Sequence, residues 1–116
     1  MRALLALAVV LASVATGLAG DIRRGTTMQV KANSIWFQDI GQLTRWQALR
    51  KGGDAAALAA YQDELLRARE AWQFINPLKV KILGHAPRHN RVYVEMKGRG
   101  RMEGSEWFLD VGALQR

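Results

Sequence analysis

The 116-residue chain contains no cysteine. That absence excludes disulfide bonds, thiol nucleophiles and a lipid anchor attached through an N-terminal cysteine. A fold of this size can bury a core without covalent or metal staples, so we expect packing alone to stabilise it.

Histidine is nearly as scarce, which limits metal binding. His85 and His89 are the only two, and Pro87 between them predicts a loop over 84–90. No carboxylate lies within that segment, whereas a protein metal site takes three or four ligands. We therefore predict no metal site.

Signals for catalysis are also missing. Ser34 and Ser105 follow the N-terminal region, and neither lies in a glycine-flanked nucleophile motif. The glycine-rich segment 98–101 lacks the lysine and the following helix of a phosphate-binding loop, so we predict a turn, no nucleotide and no cofactor. We predict that the protein is not an enzyme. The alternative of a small envelope hydrolase would have to use carboxylates brought together by folding, with these candidates: Asp39, Glu103, Glu106 and Asp110.

Residues 1–19 have the three-part pattern of a secretory signal peptide. Arg2 gives a positive start, an apolar stretch follows, and the small residues Gly17 and Ala19 fit cleavage after Ala19. An uncleaved membrane anchor is the alternative, because the apolar run is close to the length that spans a bilayer. We predict cleavage and a periplasmic or secreted protein of a bacterial envelope.

Two helices are predicted in the first half of the remaining chain. Asp39 is a candidate N-cap for a helix to about Lys51, which the pair of glycines 52–53 ends. Asp54 is the candidate N-cap of a second helix that extends to about Phe74. Its apolar positions recur at spacings of three and four residues: Leu58, Tyr61, Leu65, Ala68 and Trp72. The glycines make a helical hairpin over about 40–74.

The rest of the chain has the alternating pattern of β-strands. Candidate strands are 28–32, 35–37, 78–83, 91–97 and 106–111, with a stub near Leu114. The sequence predicts a flexible lead-in over 20–27 and a single α+β domain over 28–116, with the hairpin packed on a small antiparallel sheet. The four tryptophans are expected mainly in the shared core.

The end of the chain resembles the closing part of bacterial Src-homology-3-like barrels. The similar residues are Gly104, the Trp107-Phe108 pair and the apolar Leu114. The resemblance implies a partly open barrel in which the helical hairpin is an insertion. Barrels of this kind commonly bind peptides or cell-wall material, so it also implies binding.

Charge gives the clearest surface signal. The chain carries a net charge of +7, and residues 79–101 hold seven basic side chains against Glu95 alone. Alternation along the strands places several of them on one outward face together with an aromatic ring. The predicted binding residues are Lys79, Lys81, Arg91, Tyr93, Lys97, Arg99 and Arg101. The alternative is that outward lysines merely protect the sheet from aggregation.

These features predict an exported, non-catalytic binding or interaction protein whose partner is an envelope protein. A second hypothesis is that the basic sheet face binds an anionic polymer such as nucleic acid or lipopolysaccharide. The positive charge is also compatible with contact with a membrane surface.

Overall fold

The computed structural model describes residues 21–98 and 100–116, which form two helices packed on an antiparallel sheet. The helices are α1 (Ile40–Gly52) and α2 (Ala55–Arg67). The strands are β1 (Thr27–Val30), β2 (Ile35–Phe37), β3 (Ala71–Gln73), β4 (Leu78–Ala86), β5 (Arg91–Met96), β6 (Glu106–Asp110) and β7 (Leu114–Gln115). Short 3-10 turns occupy Pro87–His89 and Val111–Ala113. The predicted α+β class is therefore confirmed.

The sheet has the strand order β3-β2-β6-β5-β4-β1-β7, and its ends do not pair with each other. Every pair of neighbouring strands is antiparallel. In β4 the register shifts between Ile82 and Gly84, and such a bulge bends a strand and increases its twist. Because the sheet is open, β3 and β7 are its edges.

Both faces of the sheet carry apolar side chains, and successive residues of β2 show this. Trp36 belongs to a core on the inner face with alternate residues of the other strands: Val30, Val80, Ile82, Val92, Val94, Met96, Trp107, Leu109 and Leu114. Ile35 and Phe37 belong to a second core on the outer face, with Leu43 of α1 and Leu65 of α2. We predicted one shared core. Instead there are two: one lies on the inner face of the sheet, and the other lies between the outer face and the helices.

The helix starts follow the predicted caps. The Asp39 carboxylate accepts hydrogen bonds from the amides of Gly41 (2.6 Å) and Gln42 (3.2 Å). The Asp54 carboxylate accepts one from the Ala57 amide at 3.0 Å. Gly53, with φ +79°, ends α1 in the left-handed region that favours glycine. α1 and α2 therefore form the predicted hairpin.

The predicted extent of the second helix, to about Phe74, is wrong. The helix ends at Arg67, and Arg69 has φ +60°, which breaks the helical path. Residues 71–73 form β3 and pair with β2. Ala68 and Trp72 continue the helical spacing of apolar positions beyond the end of the helix, although Trp72 lies in a strand.

The segment before β1 is attached to the sheet, unlike the flexible lead-in expected over 20–27. Ile22 is buried in the inner core. The Gly25 amide donates to the Ile82 carbonyl (2.7 Å), and the Ile82 amide donates to the Thr26 carbonyl (2.9 Å).

The predicted loop over 84–90 is also too long, since β4 continues to Ala86.

The predicted signal peptide lies outside the described residues. Within 21–98 and 100–116, no helix has the length and apolar character needed to cross a bilayer.

Candidate functional site

The predicted basic residues that the structure describes are spread over the two ends of the outer sheet face and the connection between β5 and β6. Lys79 and Lys81 are exposed on β4, and Lys97 follows β5 beside them, its amide donating to the Lys79 carbonyl at 2.9 Å. Glu95 is paired with Lys81 across the strands, and its Oε1 lies 3.9 Å from Lys97 Nζ. These three lysines share one end of the outer sheet face, where Glu95 offsets part of their charge.

Of the predicted arginines, Arg101 lies on the connection between β5 and β6. Arg101 is exposed there. Arg99 lies outside the described residues. Among the described residues, no ion pair involves Arg101.

Tyr93 lies on the outer face of β5 and belongs to an aromatic pair. It is opposite Phe108 of β6, and the ring centroids are 4.7 Å apart. Its hydroxyl donates a hydrogen bond to the Glu106 carboxylate. That hydrogen bond is the main reason why the pKa of Tyr93 is raised above the ordinary tyrosine value.

We expect Glu106→Gln to lower the pKa of Tyr93, because a neutral acceptor favours the protonated phenol less than a carboxylate does. Absorbance titration of tyrosinate measures this, in a Tyr61→Phe background because burial raises the pKa of Tyr61 as well. The hydrogen bond stabilises the fold below the unfolded-state pKa of the phenol, and this contribution is lost as pH rises through the folded-state pKa. A Tyr93 titration unchanged by Glu106→Gln would contradict the assignment.

Arg91 lies at the opposite end of β5 from Lys97 and lines a cavity of about 420 Å³. We call this cavity the cationic pocket. It lies between the second half of α1, the turn after β4 and the end of β6. Its lining residues are Gln47, Arg50, Lys51, Arg88, His89, Asn90, Arg91 and Asp110.

Gln47 holds the walls of the cationic pocket together. Its side-chain amide donates to the carbonyls of His89 (3.2 Å) and Asn90 (3.0 Å) and to Asp110 Oδ1 (2.8 Å). One side chain of α1 therefore connects the helix to the turn and to β6. This fixes the position of the basic residues that α1 and the turn carry.

Among the described residues, Asp110 is the only carboxylate that lines the pocket, and it already accepts hydrogen bonds. Besides the bond from Gln47, its Oδ2 accepts hydrogen bonds from the Gly112 amide (2.8 Å) and from Arg50 (3.3 Å). Lys51 and Arg88 are exposed and have no ion-pair partner within the described residues. The pocket therefore presents cations that no carboxylate of the described chain neutralises.

Arg91 also lines a second cavity, of about 210 Å³, on the same face of the sheet. We call it the apolar cavity. It is lined by Ile40, Gly84, His85, Ala86, Arg91, Val92, Tyr93 and Phe108. The Nε atom of Arg91 is buried and has no hydrogen-bond partner among residues 21–98 and 100–116. Arg91 therefore lies between the cationic pocket and the apolar cavity.

Arginine and lysine around a concave surface can hold a carboxylate or a phosphate, because guanidinium and ammonium groups donate charge-assisted hydrogen bonds. Sequence reasoning named Arg91 but missed Gln47, Arg50 and Lys51 in α1. The spacing of these three residues in the sequence does not indicate a binding site, because only folding brings them close to residues 88–91. In the described ranges, no group of three or more His, Cys, Asp or Glu side chains is placed to hold a metal ion.

The cationic pocket and the neighbouring apolar cavity together form the candidate site. No protein-family model, no curated protein and no solved structure matches this chain.

Proposed function

We propose that this chain is a non-catalytic binding protein of the cell envelope that holds an acidic segment of a partner protein in its cationic pocket. The observation that carries the proposal is that the one lining carboxylate, Asp110, is held by three donors while Lys51 and Arg88 remain unpaired in the described structure. The location outside the cytoplasm rests on the pattern of residues 1–19.

Binding suits this pocket better than hydrolysis does. Guanidinium and ammonium groups stay charged at neutral pH, so they attract an anion but are poor proton acceptors. Asp110 accepts hydrogen bonds from Gln47, Arg50 and the Gly112 amide, which occupy most of its acceptor positions. A glycosidase would need a second carboxylate across the cleft. The described lining of the pocket holds Asp110 alone.

The second candidate function is binding of an anionic polymer through the sheet face. The exposed Lys79, Lys81 and Lys97, which adjoin across β4 and β5, favour it. Against it stands Glu95, which is paired with Lys81 and close to Lys97. A long polyanion would have to pass this carboxylate, whereas a short acidic segment in the cationic pocket would not.

Two charge-neutralised variants separate these candidates. Lys51→Gln/Arg88→Gln removes two cations from the pocket, and Lys79→Gln/Lys81→Gln removes the same charge from the sheet face. The probe is a fluorescently labelled hexaglutamate peptide, and binding is followed by anisotropy at low and physiological salt. We expect the pocket variant to weaken binding about tenfold, because each lost charge-assisted contact contributes severalfold.

The matched sheet variant should weaken hexaglutamate binding by less than about twofold, through the loss of long-range attraction alone. An equal or larger loss in the sheet variant would contradict the pocket as the binding site. A wild-type protein that does not bind hexaglutamate at low salt would contradict the proposal as a whole.

A further inference from the structure

We infer that the partner segment carries an apolar side chain two residues from an acidic one, and that this apolar side chain enters the apolar cavity beside Arg91. This inference rests on the proposed function and specifies the chemistry of the partner. Its basis is that Arg91 lines both cavities, so that one short ligand would reach the charged and the apolar compartment together.

The spacing follows from the strand under the two cavities. Arg91 and Tyr93 are two residues apart on β5 and face the same side, since Val92 between them is buried in the inner core. Two residues of strand span about 7 Å. An extended peptide along β5 repeats the same distance between side chains on one face, so an acid at position i opposite Arg91 places residue i+2 over Tyr93.

The apolar cavity is the size of a side chain and not of a whole ligand. Its volume is about 210 Å³, below the range of about 300–1,000 Å³ that is usual for small-molecule pockets. Tyr93 and Phe108 line it, and so does Ile40, which is 47% exposed. An apolar group placed here would cover Ile40 and these rings.

Gly84 keeps the cavity open. A Cβ atom at this position would meet the Cβ atom of Tyr93 at 3.8 Å, which is an ordinary contact. A larger residue would therefore fit the strand and project into the space of the cavity. The absence of a side chain at Gly84, opposite Tyr93 in the ladder, is what leaves room for a ligand.

The charge around the aromatic pair favours a peptide over a nucleic acid. The Tyr93 hydroxyl is bound to Glu106, so a carboxylate lies on the side of Tyr93 away from Arg91. A base stacked in the cavity would be flanked by phosphates on both sides, and one of them would lie near Glu106. A peptide has neutral amides at that point and can confine its charge to the Arg91 side.

The test compares two labelled peptides with the same number of glutamates. One has phenylalanine two residues after its central glutamate, and the other has serine there. We expect the wild-type protein to bind the phenylalanine peptide about tenfold more tightly, from partial burial of the ring. Gly84→Val should reduce this preference to less than about twofold, because the valine side chain occupies the space that the phenylalanine ring would enter.

Gln29→Val is the matched control, because it introduces valine on the exposed side of β1. It should leave the preference for the phenylalanine peptide intact. Ile40→Ser is a second variant that removes an exposed apolar side chain from the lining of the cavity, and we expect it to lower the preference about threefold. Circular dichroism establishes that each variant is folded.

Equal binding of the two peptides, with charge dependence on Lys51 and Arg88 intact, overturns this inference but leaves the proposed function standing. A preference that persists in both Gly84→Val and Ile40→Ser also overturns it. Tighter binding of labelled oligothymidine than of either peptide would point to nucleic acid and overturn it as well. No binding of any acidic peptide contradicts the proposed function itself.

Discussion

Replacing Trp36 with alanine is expected to lower the free energy of unfolding by about 3–5 kcal/mol. Trp36 is 1% exposed and lies in the inner core. Its ring makes edge contacts with Phe74 and Trp107, with centroid distances of 5.2 and 6.0 Å. Alanine removes both contacts and leaves a cavity in the inner core, where the neighbouring side chains relax only partially. Urea denaturation followed by circular dichroism measures the change.

Trp72→Ala is the matched control, since it deletes the same ring from the neighbouring strand. Trp72 is directly opposite Trp36 in the ladder between β2 and β3, but it is only partly buried and β3 is an edge strand. We expect a clearly smaller loss than for Trp36. If the two variants lost equal stability, the assignment of 71–73 to an edge strand would be wrong.

Asp110→Asn is expected to strengthen the binding of hexaglutamate about three- to tenfold while lowering the free energy of unfolding by about 1–2 kcal/mol. The substitution removes the negative charge from the cationic pocket and weakens the attachment of Arg50 at 3.3 Å. It also impairs the bonds from Gln47 and the Gly112 amide, because an asparagine side chain offers one oxygen where Asp110 uses two. Binding and stability should therefore change in opposite directions.

Asp63→Asn changes the formal charge equally at a distant place. Asp63 is exposed on α2 and paired with Arg67 at 3.0 Å, an arrangement that contributes a few tenths of a kcal/mol. We expect little effect on either stability or hexaglutamate affinity. Anisotropy titrations and urea denaturation of both variants provide the comparison. An equal gain in affinity from Asp63→Asn would mean that net charge, and not the pocket, governs binding.

Local signals in the sequence predicted most of the secondary structure. The caps Asp39 and Asp54 and the glycines after α1 located both helix starts and the turn between them. Alternation located β4, β5 and β6 within a few residues. The end of α2 was missed because Ala68 and Trp72 continue the helical spacing. Pairing of 71–73 with β2 overrides that local preference, as tertiary contacts commonly do.

The candidate site was only partly predictable, because it depends on contacts between distant segments. Counting charges identified the basic region 79–101, and alternation correctly placed Lys79, Lys81 and Lys97 on the outer face. Nothing local indicates that α1 lies against the turn after β4. That contact joins Gln47 to residues 42, 43 and 63 positions later. Only the packing of α1 on the outer core brings these groups together.

The most direct test of the central claim is an amide chemical-shift titration of the isotope-labelled protein with hexaglutamate. We expect saturable shifts in 47–51 and 88–91, the segments that carry the basic lining of the cationic pocket. The amides of Lys79, Lys81 and Lys97 should change little at the same concentrations. Shifts confined to those three lysines, or no saturable shift in 47–51 and 88–91, would contradict the account.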